Sequence, residues 1–210
     1  MRDICVWLVV LSQTFFGVCY ILRIRKKKAA PTISTWIIFL VGCGLSFPTY
    51  VSSEKWDLKS GILNTTDLVY VVLILLATIL WGKRDCKTEE DEEEERKRKI
   101  FERWYLSGAA GIVAYGVISG NAWNSNVLTQ VLMSFAYLPM WHKMVAQKKN
   151  TESFMGWIPV SSIFALYPAI YEGNALSVIY SARAFILCLI TTLMMAYYQF
   201  IRPLWHRFFW

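Results

Sequence analysis

The chain has 210 residues, of which 56% are hydrophobic, 16% aromatic and 18% charged, and its formal net charge is +7. Soluble domains carry about a quarter charged residues, whereas clustered charges here leave apolar runs of about 20 residues, the length that crosses a bilayer. Composition therefore argues against a soluble protein, and the position of Lys and Arg between the apolar runs argues against a nucleic-acid-binding protein.

Three apolar runs within residues 1–82 predict a first three-helix bundle. The first run is followed by a basic cluster, Arg23 to Lys28. Because a signal peptide carries its charges before its apolar core, the first run is predicted to be a retained helix. The predicted helices cover residues 4–24, 33–51 and 62–82.

A charged segment, 83–103, follows the first bundle, with acidic residues at 89–95 and basic residues at 96–99. Such a block predicts a solvated cytosolic loop, either disordered or a polar extension of a helix, and a docking site for a partner is the alternative. The next segment, 104–124, is rich in Gly and Ala, which let helices approach closely in lipid. It predicts a linker helix.

The remaining apolar runs predict a second three-helix bundle over residues 125–204. The tail 205–210 mixes Trp, Phe, His and Arg, as interfacial anchors do. The predicted helices of this bundle cover residues 127–144, 154–171 and 176–201. The fold class is therefore an all-α membrane protein with seven transmembrane helices, arranged as two three-helix bundles and a linker helix (3+1+3).

Residues near the start of the chain recur about 120 positions later, which indicates a duplicated unit. The matched positions are Gln13 with Gln130, Gly17 with Ser134, Tyr20 with Tyr137 and Lys26 with Lys143. Spacings of four and three put Gln13, Gly17 and Tyr20 on one helix face, and their matched residues on one face of a later helix. A glutamine in lipid needs hydrogen-bond partners, so this face is predicted to point into the protein, either as packing or as the lining of a cavity.

Most of the 22 Lys and Arg residues fall on one side of a seven-helix topology. The positive-inside rule then places the C-terminus in the cytosol and the N-terminus outside, in an integral protein of the plasma (inner) membrane. An odd number of helices gives both bundles the same orientation, so they are parallel repeats.

This arrangement resembles the SWEET sugar transporters and the wider PQ-loop family. The most specific segment is 139–153, a proline followed by a basic loop that leads into the sixth helix. The resemblance implies proline hinges, and the matching prolines are Pro48, Pro139 and Pro168. Two positions depart from the family pattern: Leu22 stands where a proline is expected, and Met140 follows Pro139 in place of glutamine.

Two charges lie inside predicted spans, Asp67 in the third helix and Arg183 in the seventh. A charge in the bilayer usually faces a cavity or a partner. These helices face each other in the resembled fold, which implies a geometry that allows a direct Asp67–Arg183 pair. Three roles stay open for it: a structural ion pair, the lining of a substrate cavity, or a proton relay through Asp67.

The candidate substrate-binding residues are Gln13, Asn64, Asp67, Gln130, Tyr180 and Arg183. Asn64 and Tyr180 lie one turn before Asp67 and Arg183, on the same helix faces. For Trp36 and Trp157, which begin the second and sixth helices, the alternatives are interfacial anchoring and a gate or stacking platform.

The predicted function is a facilitator or proton-coupled carrier of a small polar solute, such as a sugar, that works by alternating access. The alternatives are a nucleoside or vitamin uptake protein of related fold, a non-transporting receptor, and an interaction protein acting through 83–103. An enzyme is not expected, because the only histidines are His142 and His206 and no zinc-protease motif occurs. No metal or cofactor is predicted. The expected partners are the solute and the lipid bilayer, with a homo-oligomer left open.

Overall fold

The computed structural model describes residues 1–52, 57–82 and 89–202, and this part of the chain is helical without any β-strand. Its elements are α1 (Arg2–Arg25), α2 (Ile33–Val51), α3 (Ile62–Trp81), α4 (Glu89–Ser119), α5 (Ala122–Phe135), α6 (Leu138–Gln147), α7 (Phe154–Trp157), α8 (Val160–Tyr171), α9 (Ala175–Ala196) and a π-helical turn, Tyr197–Ile201. If α5 with α6 and α7 with α8 each count as one interrupted helix, the described residues form seven helical segments. The predicted tail, 205–210, lies outside the described residues.

Five segments are long and apolar enough to cross a membrane, which is consistent with an integral membrane protein. They are Arg2–Arg25, Ile33–Val51, Ile62–Trp81, Phe154–Tyr171 and Ala175–Ile201. On α1 a stripe of large apolar side chains, Trp7, Leu11, Phe15 and Val18, is exposed at helical spacing. Soluble proteins rarely expose such a continuous apolar surface, so this stripe is suited to face lipid.

Two predicted helices are interrupted at prolines. The fifth, predicted over 127–144, ends at Phe135 and begins again at Leu138, with Pro139 in the first turn of α6. The sixth, predicted over 154–171, breaks where Ile158 is extended before Pro159. Proline has no N–H and disfavours helical backbone in the preceding residue, so a helix tends to stop there.

Pro48 and Pro168, by contrast, lie within the continuous helices α2 and α8. The three prolines predicted as hinges therefore occupy two kinds of position, two inside helices and one at a helix start.

The charged segment is helical from Glu89 onward, because α4 runs without interruption from Glu89 to Ser119. Of the two conformations considered for 83–103, the polar helical extension is therefore the observed one for 89–103. The predicted linker helix ends earlier than residue 124. Gly120 has a positive φ of 63°, which favours glycine, and the Asn121 side chain then caps α5 by accepting from the N–H of Asn124.

The helix contacts repeat in the two parts of the chain. In the first group, α1–α3, the helix α3 contacts both α1 and α2. In the second group, α5–α9, the helix α9 contacts α5, α6, α7 and α8. The groups meet where α1 packs against α8 and α2 packs against α5, while α4 lies on α2 and α5. The contact between the groups holds the candidate site.

Helices α2 and α5 approach closely at Gly42. A Cβ atom at this position would lie 2.5 Å from Cγ of Met133 in α5, whereas a Cβ atom at Gly44 meets nothing within 4 Å. Small residues at helix contacts are the usual means of close approach in membrane proteins.

We predict that Gly42→Leu destabilises the protein by about 1–3 kcal/mol, because overpacking forces neighbouring side chains or helices apart. The matched substitution Gly44→Leu, on the same helix, should leave stability within about 0.5 kcal/mol of the wild type. Thermal unfolding in detergent measures both, and equal melting temperatures for the two variants would contradict the observed contact.

Candidate functional site

A cavity of about 70 Å³ lies between the two groups of helices. This volume holds a few water molecules. Both groups contribute to its wall, and the polar and aromatic side chains used below are Gln13, Trp36, Asp67, Tyr137, Trp157 and Arg183.

Asp67 on α3 accepts hydrogen bonds from both groups. Its Oδ1 accepts from Nε2 of Gln13 on α1 at 2.5 Å, and its Oδ2 accepts from the hydroxyl of Tyr180 on α9 at 2.9 Å. A carboxyl group in an apolar interior is costly unless it is hydrogen-bonded. The structure thus brings together three of the predicted site residues, Gln13, Asp67 and Tyr180.

Arg183 does not form the direct ion pair with Asp67 that the resembled fold allows; no such pair occurs among the described residues. Its guanidinium carbon lies 4.8 Å from the ring centre of Tyr180 instead. Tyr180 is one turn before Arg183 on α9, so its ring covers the guanidinium. Tyr180 therefore contacts both charges, Asp67 through its hydroxyl and Arg183 through its ring face.

The guanidinium of Arg183 also retains unused donors. Its Nε and Nη1 atoms are buried and have no hydrogen-bond partner within the described part of the protein. Buried donors without partners cost free energy, more for a charged group than for a neutral one. Since Arg183 lines the cavity, these donors make the cavity suited to bind a hydrogen-bond acceptor.

Asn64 and Gln130 do not line this cavity, and their place in a substrate site stays a prediction. Asn64 donates to Oγ of Ser46 at 3.2 Å, and Gln130 donates to the same oxygen at 3.0 Å. Asn126 joins this cluster by donating to the carbonyl of Ser46 at 3.0 Å. The reason is the α2–α5 contact, which places Ser46 next to Gln130, so that Gln130 donates to Ser46 and not to a group in the cavity.

An aromatic cluster closes the cavity toward the basic end, where α1 ends at Arg25 and α6 ends at Gln147. The rings of Trp36 and Trp157 are 5.6 Å apart, and those of Phe39 and Tyr137 are 4.9 Å apart. Trp36 is 2% exposed and Trp157 4% exposed. Both tryptophans are therefore buried between the groups and do not lie at a membrane interface, and a gate or stacking platform stays a prediction for them.

Glu152 lies beside this cluster, in the connection that precedes α7. Its Oε2 accepts from the hydroxyl of Tyr20 in the first group, and Nε1 of Trp157 donates to the same oxygen at 3.5 Å. Burial raises the pKa of Glu152, while the hydrogen bond from Tyr20 and the charge of Lys143 oppose that rise. Glu152 is not among the site residues that the sequence predicts, although it lies in segment 139–153, beside the basic loop, and that position could have indicated it.

Backbone contacts reinforce the basic end. The N–H of Ala30, between α1 and α2, donates to the carbonyl of Thr151 at 3.3 Å, and Lys143 donates to the carbonyl of Ala30 at 3.0 Å. The two groups are thus connected at this end by side chains and by main chain.

The opposite end, where α1 begins and α8 ends, is also closed by contacts between the groups. Arg2 on α1 donates to the carboxylate of Glu172 beyond α8. Asn174, the N-cap of α9, donates to the hydroxyl of Tyr50 on α2 at 3.0 Å. Contacts between the groups therefore occur on both sides of the cavity along the helices.

The described residues contain no group of three or more His, Cys, Asp or Glu side chains that could hold a metal ion. No family model, no curated protein and no solved structure matches this chain. The resemblance to SWEET and PQ-loop proteins therefore stays a prediction, and the function is argued from the site.

We predict that Glu152→Gln becomes more stable relative to the wild type as the pH rises. The raised pKa means that the folded protein favours the protonated carboxyl, so the stability it contributes is present below the ordinary value of 4.5 and is lost as the pH rises through the folded-state value. Glutamine keeps an acceptor for Tyr20 but cannot ionise. Melting temperatures of both proteins between pH 4.5 and 8 measure the difference.

Arg25→Gln, at the exposed end of α1, removes a charge elsewhere and is the control; its difference from the wild type should stay constant with pH. A difference between Glu152→Gln and the wild type that stays constant with pH would mean that burial does not govern this carboxyl.

Proposed function

We propose that this protein transports a small polar solute across a membrane by alternating access between its two groups of helices. In this proposal α1–α3 and α5–α9 act as two parallel three-helix bundles, and α4 links them. The observation that carries the proposal is the cavity lined by Asp67 and Arg183, which lies between the groups, with contacts from one group to the other toward each end of the helices.

Two partly buried charged groups in an apolar helical protein support a functional site. Insertion of a single charge at the centre of a bilayer costs about 2.5–3.5 kcal/mol, and such residues usually mark substrate or ion pathways. A structural role alone would favour a direct pair between the two charges. Asp67 and Arg183 instead share contact with Tyr180 and leave donors of Arg183 unused.

The two closed ends supply the two gates that alternating access requires. Opening toward the Arg2 end breaks the contact of Arg2 with Glu172, and opening toward the basic end breaks the contact of Tyr20 with Glu152. The repeated contact pattern, with α3 and α9 each joining the other helices of their group, supports rigid-body movement of the groups. Helix interruptions and prolines are places where such movement bends helices.

We expect purified protein in liposomes to equilibrate a labelled small polar solute across the bilayer. Asp67→Asn and Arg183→Gln should each lower the initial rate by about tenfold or more, since each removes a charge from the cavity. Arg25→Gln, at the exposed end of α1, is the matched control and should transport at the wild-type rate. Binding without flux would instead identify a receptor, and full rates in both cavity variants would remove these residues from the mechanism.

Cross-linking tests the movement itself. In a cysteine-free background that transports, we expect Arg2→Cys with Glu172→Cys, joined by a short bifunctional maleimide, to stop transport, because the Arg2 end can no longer open. The control pair is Asp3→Cys with Lys59→Cys, whose native side chains form an ion pair at 2.9 Å within the first group. Cross-linking that control should leave transport intact. Equal rates before and after joining residues 2 and 172 would rule out opening at that end.

A further inference from the structure

We infer that the solute is a small zwitterion, whose carboxylate binds Arg183 and whose cationic group lies toward Asp67. This inference rests on the proposed function, because it identifies the ligand of the same cavity. It is carried by the unused donors of Arg183, the remaining acceptor capacity of Asp67 and the balance of charge between them.

Arg183 defines the negative end of the ligand. A guanidinium has five N–H donors in a planar fork and no acceptor. Two of its nitrogen atoms, Nε and Nη1, are buried without a partner in the described residues, and the face of the group is covered by Tyr180. The edges of the guanidinium are what remain for a ligand. Nε and Nη1 lie on different edges, each of which also includes Nη2, and a carboxylate fits either edge through two parallel hydrogen bonds.

Asp67 defines the positive end. Each of its oxygen atoms accepts one hydrogen bond, from Gln13 or from Tyr180, and both donors are neutral. A carboxylate offers about four lone-pair positions, so further donors can still bind, and its negative charge has no direct ion pair among the described residues. An ammonium group supplies both the donors and the charge.

The balance of charge distinguishes a zwitterion from the other small polar solutes. A carboxylate alone would leave the cavity with a net negative charge beside Asp67, and an amine alone would leave a net positive charge beside Arg183. Uncompensated charge in a low-dielectric interior is strongly unfavourable. A neutral sugar avoids that cost but gives Arg183 only hydroxyl acceptors, which form weaker bonds to a guanidinium than a carboxylate does.

The size of the cavity favours the smallest members of this class. Its volume is about 70 Å³, and apolar side chains such as Phe16, Phe39 and Met133 complete its wall. Both charged groups contact the same side chain, Tyr180, so one short molecule reaches both. Glycine and L-alanine are therefore the probes of choice.

The test measures binding to the full-length protein in detergent by isothermal titration calorimetry. The probes are glycine, L-alanine, acetate, methylammonium and D-glucose. We expect glycine or L-alanine to bind at least about tenfold more tightly than each of the other three, because only they satisfy both charges. Equal or tighter binding of acetate, methylammonium or glucose overturns the inference, and so does the absence of binding by both amino acids.

The variants separate the two ends of the ligand. Arg183→Gln should weaken glycine binding by about 10- to 100-fold, the loss expected for a charge-assisted hydrogen bond. Arg183→Lys, which keeps the charge but loses the fork, should retain part of the affinity. Asp67→Asn should weaken glycine but spare acetate, because it removes the charge that disfavours a lone anion. Unchanged glycine affinity in both Arg183→Gln and Asp67→Asn overturns the inference.

Size-exclusion profiles and melting temperatures show whether each variant is folded, and Arg25→Gln serves as the charge-loss control outside the cavity. Flux in liposomes then distinguishes the two proposals. Glycine that binds but does not cross overturns transport and leaves the ligand class standing. Glucose that crosses while neither amino acid binds supports transport and overturns the zwitterion.

Discussion

The carboxyl group of Asp67 is the constraint on which the arrangement depends. It lies on α3, and it accepts hydrogen bonds from α1 and from α9. Loss of either contact leaves a partly buried acceptor less well satisfied. The hydrogen bond to Tyr180 is thus a polar connection between the groups at the level of the cavity, and it also orients the ring that covers Arg183.

The contacts between the groups at the two ends of the helices are made by different kinds of side chain. The Arg2 end is held by an ion pair and by amide and hydroxyl groups, with Arg2 and Glu172 both partly exposed. Exposed ion pairs contribute little to stability, typically below about 1 kcal/mol. The basic end combines packed aromatic rings, the buried Glu152 and a backbone hydrogen bond. Separation of these contacts exposes apolar area, so in the proposed movement the basic end would cost more to open than the Arg2 end.

Local sequence patterns predicted the helices well and the contacts between them less well. The bounds of α2 and the start of α3 follow directly from apolar runs and loop residues, and Gln13, Asp67 and Tyr180 stand out because polar groups in such runs need partners. Asn64 and Gln130 show the same polarity, but the α2–α5 contact directs them to Ser46. The helix interruptions before Pro139 and Pro159 could not be predicted from the prolines alone, because packing determines whether a helix bends or is interrupted at a proline. Nothing in the sequence around Trp36 and Trp157 distinguishes a buried ring from one at a membrane interface.

The repeat is least symmetric at the site itself. With the offset of about 120 residues, Asp67 matches Leu187 and Arg183 matches Leu63, so each group supplies one charge and the matching position in the other group is apolar. The matched residues Gln13 and Gln130 also differ in their partners. Gln13 donates to Asp67, and Gln130 donates to Ser46. Two copies of an acidic site would place like charges in one small cavity, at high electrostatic cost. One charge of each sign keeps the cavity neutral, and under the proposed function it would give a polar ligand a single favourable orientation between the two groups.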